Sequence, residues 1–220
     1  RLVLRPEALD FGKVWVGSSA RRLVRAANLG NQPLSIAGAA SDNARFSAQP
    51  RAFDLEGGDS LEVAVRFAPA QEGAESGMLS LVAQGQLEVR GEGVRLGLPD
   101  SLLFDQVLAG ESGALNLVVF NPADDTLLIT SALIDRVQLF QVEDSLSAAS
   151  PLRVPPNGSQ GLRVRFSPPG TGLQRALLTL STNAGVHTLP LVGAVFDVAL
   201  RLSPAEFGQV RLGQRQSLSV

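Results

Sequence analysis

Several residue types on which common protein sites depend are missing from this sequence or nearly so. Its 220 residues contain no cysteine, no tyrosine, one tryptophan and one histidine. The absence of cysteine excludes a disulfide framework and any thiolate metal site. His187 cannot by itself supply a zinc site built on several imidazoles, and we interpret it as a surface or strand-edge residue. No G-x-S-x-G nucleophile elbow occurs.

Basic charge is also scarce, and its composition is skewed. The formal net charge is −2 and the pI is near 5.5, which argues against a nucleic-acid partner because phosphate contacts need a basic surface. Lys13 is the only lysine among 19 basic residues, a bias that indicates a GC-rich bacterial source. The apolar runs 127–134 and 189–200 are shorter than the roughly 18 residues of a transmembrane helix, so we predict no membrane span.

The glycine-rich and acidic motifs do not predict catalysis or a cofactor. The "GEG" at Gly91 lacks the third glycine and the following helix of a dinucleotide loop, and no Walker "GK[ST]" is present. Few aromatic residues are available to line a sugar cleft. The acidic pairs Asp124/Asp125 and Glu56/Asp59 lack the alternate-residue spacing of a calcium loop and are typical of turns. We therefore predict a non-enzymatic protein without a metal or cofactor.

What the sequence does contain is a repeat with a period near one hundred residues. Phe11, Phe104 and Phe207 are separated by 93 and 103 residues, and nearby valines and glycines keep the same offsets. "VRFAP" at 65–69 returns as "VRFSP" at 164–168, an offset of 99. The drift from 93 to 99 places about six extra residues in the middle of the second copy, where a loop varies while the strands persist.

Within each copy the hydrophobic pattern has a period of two. Leu61, Val63, Val65 and Phe67 alternate with less apolar residues and end at Pro69, which is typical of a half-buried antiparallel strand. About seven such short strands per copy, separated by turn residues, indicate an immunoglobulin-like β-sandwich. We thus predict an all-β fold of tandem immunoglobulin-like, major sperm protein-like sandwiches without a helix.

The repeat also predicts the domain organisation. Residues 1–94 form a first sandwich, 95–194 a second, and 195–220 the first strands of a truncated third repeat. No Gly/Ser-rich spacer separates the copies, so the domains are expected to sit end to end as a fairly stiff rod.

Trp15 is the residue that we single out as a protein contact. It alternates with Val14 and Val16, so it is expected to face outward if those valines point into the core. The other copies have Leu108 and Arg211 at this position, so the fold itself does not require a tryptophan there. Two interpretations remain open, contact with a partner protein or packing against a neighbouring loop.

Three motifs of the first copy resemble a known family. "P-x-x-L-D-F-G-x-V-x-V-G" lies at 6–17, "N-x-G-x-x-P-L-x-I" at 28–36 and "V-x-F-x-P" at 65–69. They resemble the ASH family (abnormal spindle, spindle-defective and Hydin) and its bacterial "choice-of-anchor D" versions. The second copy departs from this pattern at Asp105 and at Asn121-Pro122. The resemblance implies arrays of immunoglobulin-like modules with no catalytic residues.

We therefore expect a structural, adhesion or scaffold protein, whose sandwiches form a semi-rigid spacer that binds other proteins. Its partners would be proteins, among them neighbouring repeats of the same chain or a larger assembly. The expected location is the cell surface, the periplasm or the medium of a bacterium. Two alternatives are an accessory array of a secreted enzyme and a cytoplasmic scaffold associated with a cilium or the cytoskeleton.

Overall fold

The computed structural model describes residues 1–81 and 85–196, together with 212, 213 and 215. All regular structure in this part of the chain is β-strand, which confirms the predicted all-β fold. The strands are β1 Leu2–Arg5, β2 Ala8–Trp15, β3 Ala20–Asn28, β4 Leu34–Ile36, β5 Ala39–Ser41, β6 Phe46–Gln49, β7 Phe53–Leu55, β8 Ser60–Phe67, β9 Gly73–Leu81, β10 Gly85–Val94, β11 Leu102–Leu108, β12 Gly113–Asn121, β13 Leu127–Ile134, β14 Phe140–Val142, β15 Leu152–Val154, β16 Gly158–Phe166, β17 Gly172–Thr182 and β18 Gly185–Phe196.

Strands β1 to β10 build a first sandwich. One sheet has the order β1-β3-β8-β6 and the other β2-β10-β9-β5, while β4 and β7 form a separate pair. The chain changes sheets between β1 and β2, and β2 then runs parallel to β10, the last strand of the sandwich. All other pairings here are antiparallel. This sandwich has ten strands rather than the predicted seven, because several three- and four-residue segments pair on their own.

Strands β11 to β18 repeat the arrangement with fewer pieces. One sheet has the order β11-β18-β17-β13-β15, and the other consists of only three strands, β12-β16-β14. Strand β11 again runs parallel to the last strand, β18. The loop 143–151 between β14 and β15 has nine residues where the loop 50–52 of the first sandwich has three. This is the place of the six extra residues that the changing offset predicts.

Each core is built around three phenylalanine rings. Phe11, Phe46 and Phe67 lie with ring centroids 4.7–5.8 Å apart in the first core. Phe104, Phe140 and Phe166 repeat this cluster in the second, at 4.5–5.6 Å. Gly91 of the "GEG" motif packs against the first cluster. Only glycine fits there, since a Cβ on Gly91 would lie 2.6 Å from the Phe67 ring. Of the repeated phenylalanines, Phe11 and Phe104 are therefore core residues, and Phe207 lies outside the described residues.

The repeated glycine has the same backbone conformation in all three copies. Gly17, Gly110 and Gly213 have φ of 85°, 84° and 88°, a left-handed conformation that favours glycine. The strands predicted for the truncated third repeat fall at 195–220, nearly all of which lies outside the described residues. No helix in the described part is long and apolar enough to span a membrane.

Candidate functional site

Trp15 points away from the first core but is not exposed. A bulge in β2 sets Phe11 and Gly12 opposite the single residue Gly91, and Val14 then faces the first core. Trp15 takes the opposite face, as the alternation predicts. Its side chain is only 6% exposed because the second sandwich covers that face. The expectation of an outward, accessible tryptophan is therefore corrected.

The indole of Trp15 completes the core of the second sandwich. It belongs to the same buried cluster as Val119, Leu127 and Leu189, which all come from the second copy. Its Nε1–H donates a hydrogen bond to Oδ1 of Asn121 at 3.1 Å. Burying an indole is favourable when its polar N–H finds an acceptor, and both conditions are met here. Trp15 is thus a contact between neighbouring modules of the same chain.

Asn121 is a fully buried asparagine at the end of β12. Its Nδ2 donates to the carbonyl oxygens of Asp125, Val154 and Pro155 at 2.8–3.2 Å, and its Oδ1 accepts the N–H of Ala123. The indole therefore binds an acceptor whose position is already fixed by four other hydrogen bonds.

Asn28 occupies the same place in the first sandwich. It donates to the carbonyl oxygens of Gln32, Leu55 and Glu56 and accepts the N–H of Gly30. The two asparagines are 93 residues apart, which is the offset of the sequence repeat, but their hydrogen bonds to backbone carbonyl groups are seen only in the structure.

A second contact joins the backbone of Lys13 in the first sandwich to Asp124 in the second. The N–H of Lys13 donates to Oδ2 of Asp124 at 2.8 Å, and the N–H of Asp124 donates to the carbonyl of Lys13 at 3.1 Å. Gly12, with φ of 64°, lies directly against this carboxylate, so a side chain there would collide with it. Asp124, which we interpreted as a turn residue, is therefore also part of the junction.

An open groove of about 480 Å³ runs beside these contacts and is rich in charge. Asp10 accepts the N–H of Gly12 at 2.8 Å and pairs with Arg90 at 2.9 Å. The Gly12 hydrogen bond, assisted by Arg90, holds the pKa of Asp10 below its usual value. Glu75, on the same groove, accepts from Asn43 at 3.1 Å. Asp10 and Oε2 of Glu75 thus have donors within the protein, whereas the buried Oε1 of Glu75 has no hydrogen-bond partner among the described residues.

Among the described residues, no group of three or more histidine, cysteine or acidic side chains is placed to hold a metal ion. Glu56 and Asp59 lie in the turn before β8, where the N–H of Asp59 donates to the carbonyl of Glu56. Asp125 contributes its carbonyl to Asn121.

His187 lies on β18 beside the same junction. It lines a small cleft of about 140 Å³ with Trp15, Val94, Arg95 and Ala184. Its Nε2 is buried, and it has no hydrogen-bond partner among the described residues. Burial lowers the pKa of His187, since the charged form loses hydration there. We expected a surface or strand-edge histidine, but His187 is half-buried. Trp15, which contributes to this cleft, belongs to the other sandwich, so the sequence around His187 does not reveal this position.

Two exposed arginines of the second sandwich form a charge cluster with one glutamate. Arg163 and Arg165 on β16 both pair with Glu143, at 2.7 and 2.6 Å. Their guanidinium groups, Arg165 foremost, lower the pKa of Glu143. Exposed pairs of this kind contribute little to stability, and one carboxylate offsets only one of the two positive charges.

Comparison with known proteins connects the first sandwich with one family. Residues 1–89 match the ASH model. This family is described as abnormal spindle-like microcephaly-associated, ASPM-SPD-2-Hydin. The match covers the copy that carries all three motifs, so the resemblance drawn from those motifs is confirmed for the first sandwich. No curated protein matches the chain.

Solved structures similar to this chain share little sequence with it. A protein of unknown function from Porphyromonas gingivalis W83 is 15% identical, with 88% of this chain and 99% of that one covered and a TM-score of 0.38. The seventh ASH/PapD-like domain of human CEP192 is 14% identical over 43% of this chain and 85% of that one, with a TM-score of 0.34. The CupB2 chaperone of Pseudomonas aeruginosa is 12% identical over 86% and 98%, with a TM-score of 0.34.

Proposed function

We propose that this chain is a non-enzymatic scaffold protein in which tandem sandwiches form a semi-rigid spacer that binds other proteins. The observation that carries the proposal is the junction, where a tryptophan of one sandwich lies in the core of the next. A flexible linker would leave neighbouring domains free to reorient, whereas a buried side chain with a fixed acceptor restrains them. The ASH match of the first sandwich supports an interaction module rather than an enzyme.

Trp15→Ala tests the spacer directly. The substitution removes the largest apolar contact of the junction and its hydrogen bond to Asn121. Small-angle scattering of the wild-type chain should show an elongated particle with a narrow range of interdomain distances. The variant should show a broadened distance distribution, because the two sandwiches then reorient.

Leu23→Ala is the matched control, since Leu23 is an exposed apolar residue on β3 and not among those that meet the second sandwich. It should scatter like the wild type. A compact wild-type profile, or a Trp15→Ala profile identical to the wild type, would contradict the spacer.

We further propose that the protein works on the cell surface, in the periplasm or in the medium of a bacterium, as a member of the "choice-of-anchor D" type. The arginine-rich, lysine-poor composition and the motifs of the first copy support this location. Fractionation of the full-length protein from its host tests it, and recovery in the cytoplasm would contradict it.

A further inference from the structure

Among the described residues, one long strand edge of the second sandwich has no neighbouring strand. In the first sandwich, β3 is flanked by β1, which pairs Leu2–Arg5 with residues 25–28. In the second, the corresponding strand is β12, and within the described part of the chain a single isolated bridge, Gly97 to Phe120, forms on its outer side. The described residues place no strand beside positions 113–119. This seven-residue stretch, which we call the open edge, has Asn116 at its centre.

The backbone of the open edge directs its hydrogen-bonding groups outward at alternate residues. Phe120 exchanges two hydrogen bonds of 2.9 Å with Gly97, so its N–H and C=O point away from β16. In an antiparallel strand these directions alternate, so Ala114, Asn116 and Val118 point the same way. Their N–H and C=O groups are available to another strand.

The open edge lacks the features that normally prevent an edge strand from pairing with another chain. Strand β12 carries no charge and no proline, and its nine pairs with β16 run without a register shift. Natural edge strands are normally interrupted by charges, prolines or bulges that prevent pairing with another chain. The other long edges have them: β2 carries Asp10, Lys13 and a bulge, and β11 carries Asp105 and a register shift.

The first copy provides an internal comparison. Arg21, Arg22 and Arg25 of β3 stand at the offset of 93 residues where β12 has Ala114, Leu115 and Val118. Strand β3, which pairs with β1, is thus arginine-rich, while the edge strand β12 is neutral. Apolar side chains are exposed along it, with Val118 at 54% and Phe120 at 40%.

We propose that the open edge binds the open edge of a second copy of this chain, antiparallel and about a two-fold axis through Asn116. This register places the neutral amide of Asn116 opposite its own counterpart, where the two can exchange hydrogen bonds. It places the small Ala114 opposite the larger Val118. Two sheets of three strands then become one continuous sheet of six, and Gly97 remains paired with Phe120.

Charge does not oppose this pairing. The nearest charged side chains on β16 are Arg163 and Arg165, and both are paired with Glu143 of the same chain. Arginines on the β16 strands of the two copies would lie three strand spacings apart, about 14 Å. That distance exceeds the screening length at physiological salt, about 8 Å.

The test uses charges at the two-fold axis in the 220-residue chain. Analytical ultracentrifugation of the wild type should show a concentration-dependent dimer. Asn116→Lys and Asn116→Asp should each weaken self-association at least about 100-fold, since like charges meet at the axis. An equimolar mixture of the two variants should recover a dimer with one copy of each.

Val186→Lys is the control, because Val186 is 68% exposed on β18 and lies outside the open edge. It should dimerise like the wild type, and circular dichroism should show every variant folded. A wild type that stays monomeric, a dimer unaffected by Asn116→Lys, or a mixture that fails to recover would each overturn the proposal. A monomer that instead captures an uncharged extended peptide would overturn the second copy as the occupant. These outcomes are distinguishable from those of the Trp15 scattering test, because sedimentation reports association through Asn116, which is exposed and is not among the residues that bury Trp15.

Discussion

A buried asparagine side chain lies at the same corner of both sandwiches and donates hydrogen bonds to backbone carbonyl groups there. Asn28 and Asn121 each satisfy three carbonyl oxygens of a neighbouring turn and strand end. Buried carbonyl groups are costly to leave without donors, which explains why this position is polar inside an apolar core. Only Asn121 also accepts the indole of Trp15, so one residue serves both the fold and the junction.

Substituting the two asparagines separates these roles. Asn28→Ala and Asn121→Ala should each lower the free energy of unfolding by about 3 kcal/mol, because buried carbonyl groups lose their donor. Only Asn121→Ala should also change the native emission spectrum of Trp15. Chemical denaturation and intrinsic fluorescence measure the two effects, and no other tryptophan contributes to the signal.

Each variant controls for the other, because the hydrogen bonds to carbonyl groups are matched. Equal emission changes in both variants would show that the emission of Trp15 responds to general destabilisation and not to loss of its hydrogen bond to Asn121.

At the scale of elements, the bulge of β2 decides which face each side chain takes. Without it, Phe11 and Trp15 would share a face; with it, Val14 joins Phe11 in the first core and Trp15 is released toward the second. Gly12 permits this step through its left-handed backbone and its close approach to Asp124.

Gly12→Ala should therefore lower the free energy of unfolding more than an alanine substitution at a glycine with open space around it. Gly58 has a similar φ of 88° with no atom near its missing side chain, so Gly58→Ala should cost about 1 kcal/mol from backbone strain alone. Gly12→Ala should cost about 2–3 kcal/mol, because Asp124 must also give up its hydrogen bond. Urea denaturation gives both values.

The double variant Gly12→Ala/Asp124→Ala checks the cause. It should be less destabilised than the sum of its single variants, since the collision has been removed. Strict additivity would place the extra cost elsewhere.

The local hydrophobic pattern predicts the long strands well and the three-residue strands poorly. The alternation at Leu61, Val63 and Phe67 defines β8, and the phenylalanine offsets define the repeated core. These signals are contained within a few neighbouring residues. The three-residue strands β4, β7 and β15 carry too few positions for a period to be visible.

The junction was less accessible to prediction, because it joins residues far apart in the chain. Alternation gives the direction of Trp15, but the face that buries it comes from Asn121, 106 positions later. Asp124 looks like an ordinary turn residue until Lys13 lies against it. No local signal in the sequence contains either contact.

At the scale of the whole molecule, the junction has its own titrating group. His187 faces Trp15 and the charged Arg95 across the small cleft, and its burial lowers its pKa. The unfolded chain binds a proton near the ordinary pKa of about 6.5, and the folded chain only at lower pH. Stability is therefore present in full above that value and declines as the pH falls through it.

As the pH falls below about 6.5, the free energy of unfolding should decrease, and His187→Gln should flatten this dependence. Denaturation followed by Trp15 fluorescence at several pH values measures it. The carboxylates Asp10 and Glu143, whose pKa values are lowered, lose their contributions only at more acid pH. A slope that persists in His187→Gln would assign the effect to another group.

The parallel pairing of first and last long strands has a mechanical consequence. In each sandwich the entering strand, β2 or β11, runs in the same direction as the leaving strand, β10 or β18. Tension that pulls the start of the entering strand away from the end of the leaving strand slides the two past each other. Their hydrogen bonds are then loaded together in shear instead of opening one after another, a geometry suited to a chain that carries tension along its length.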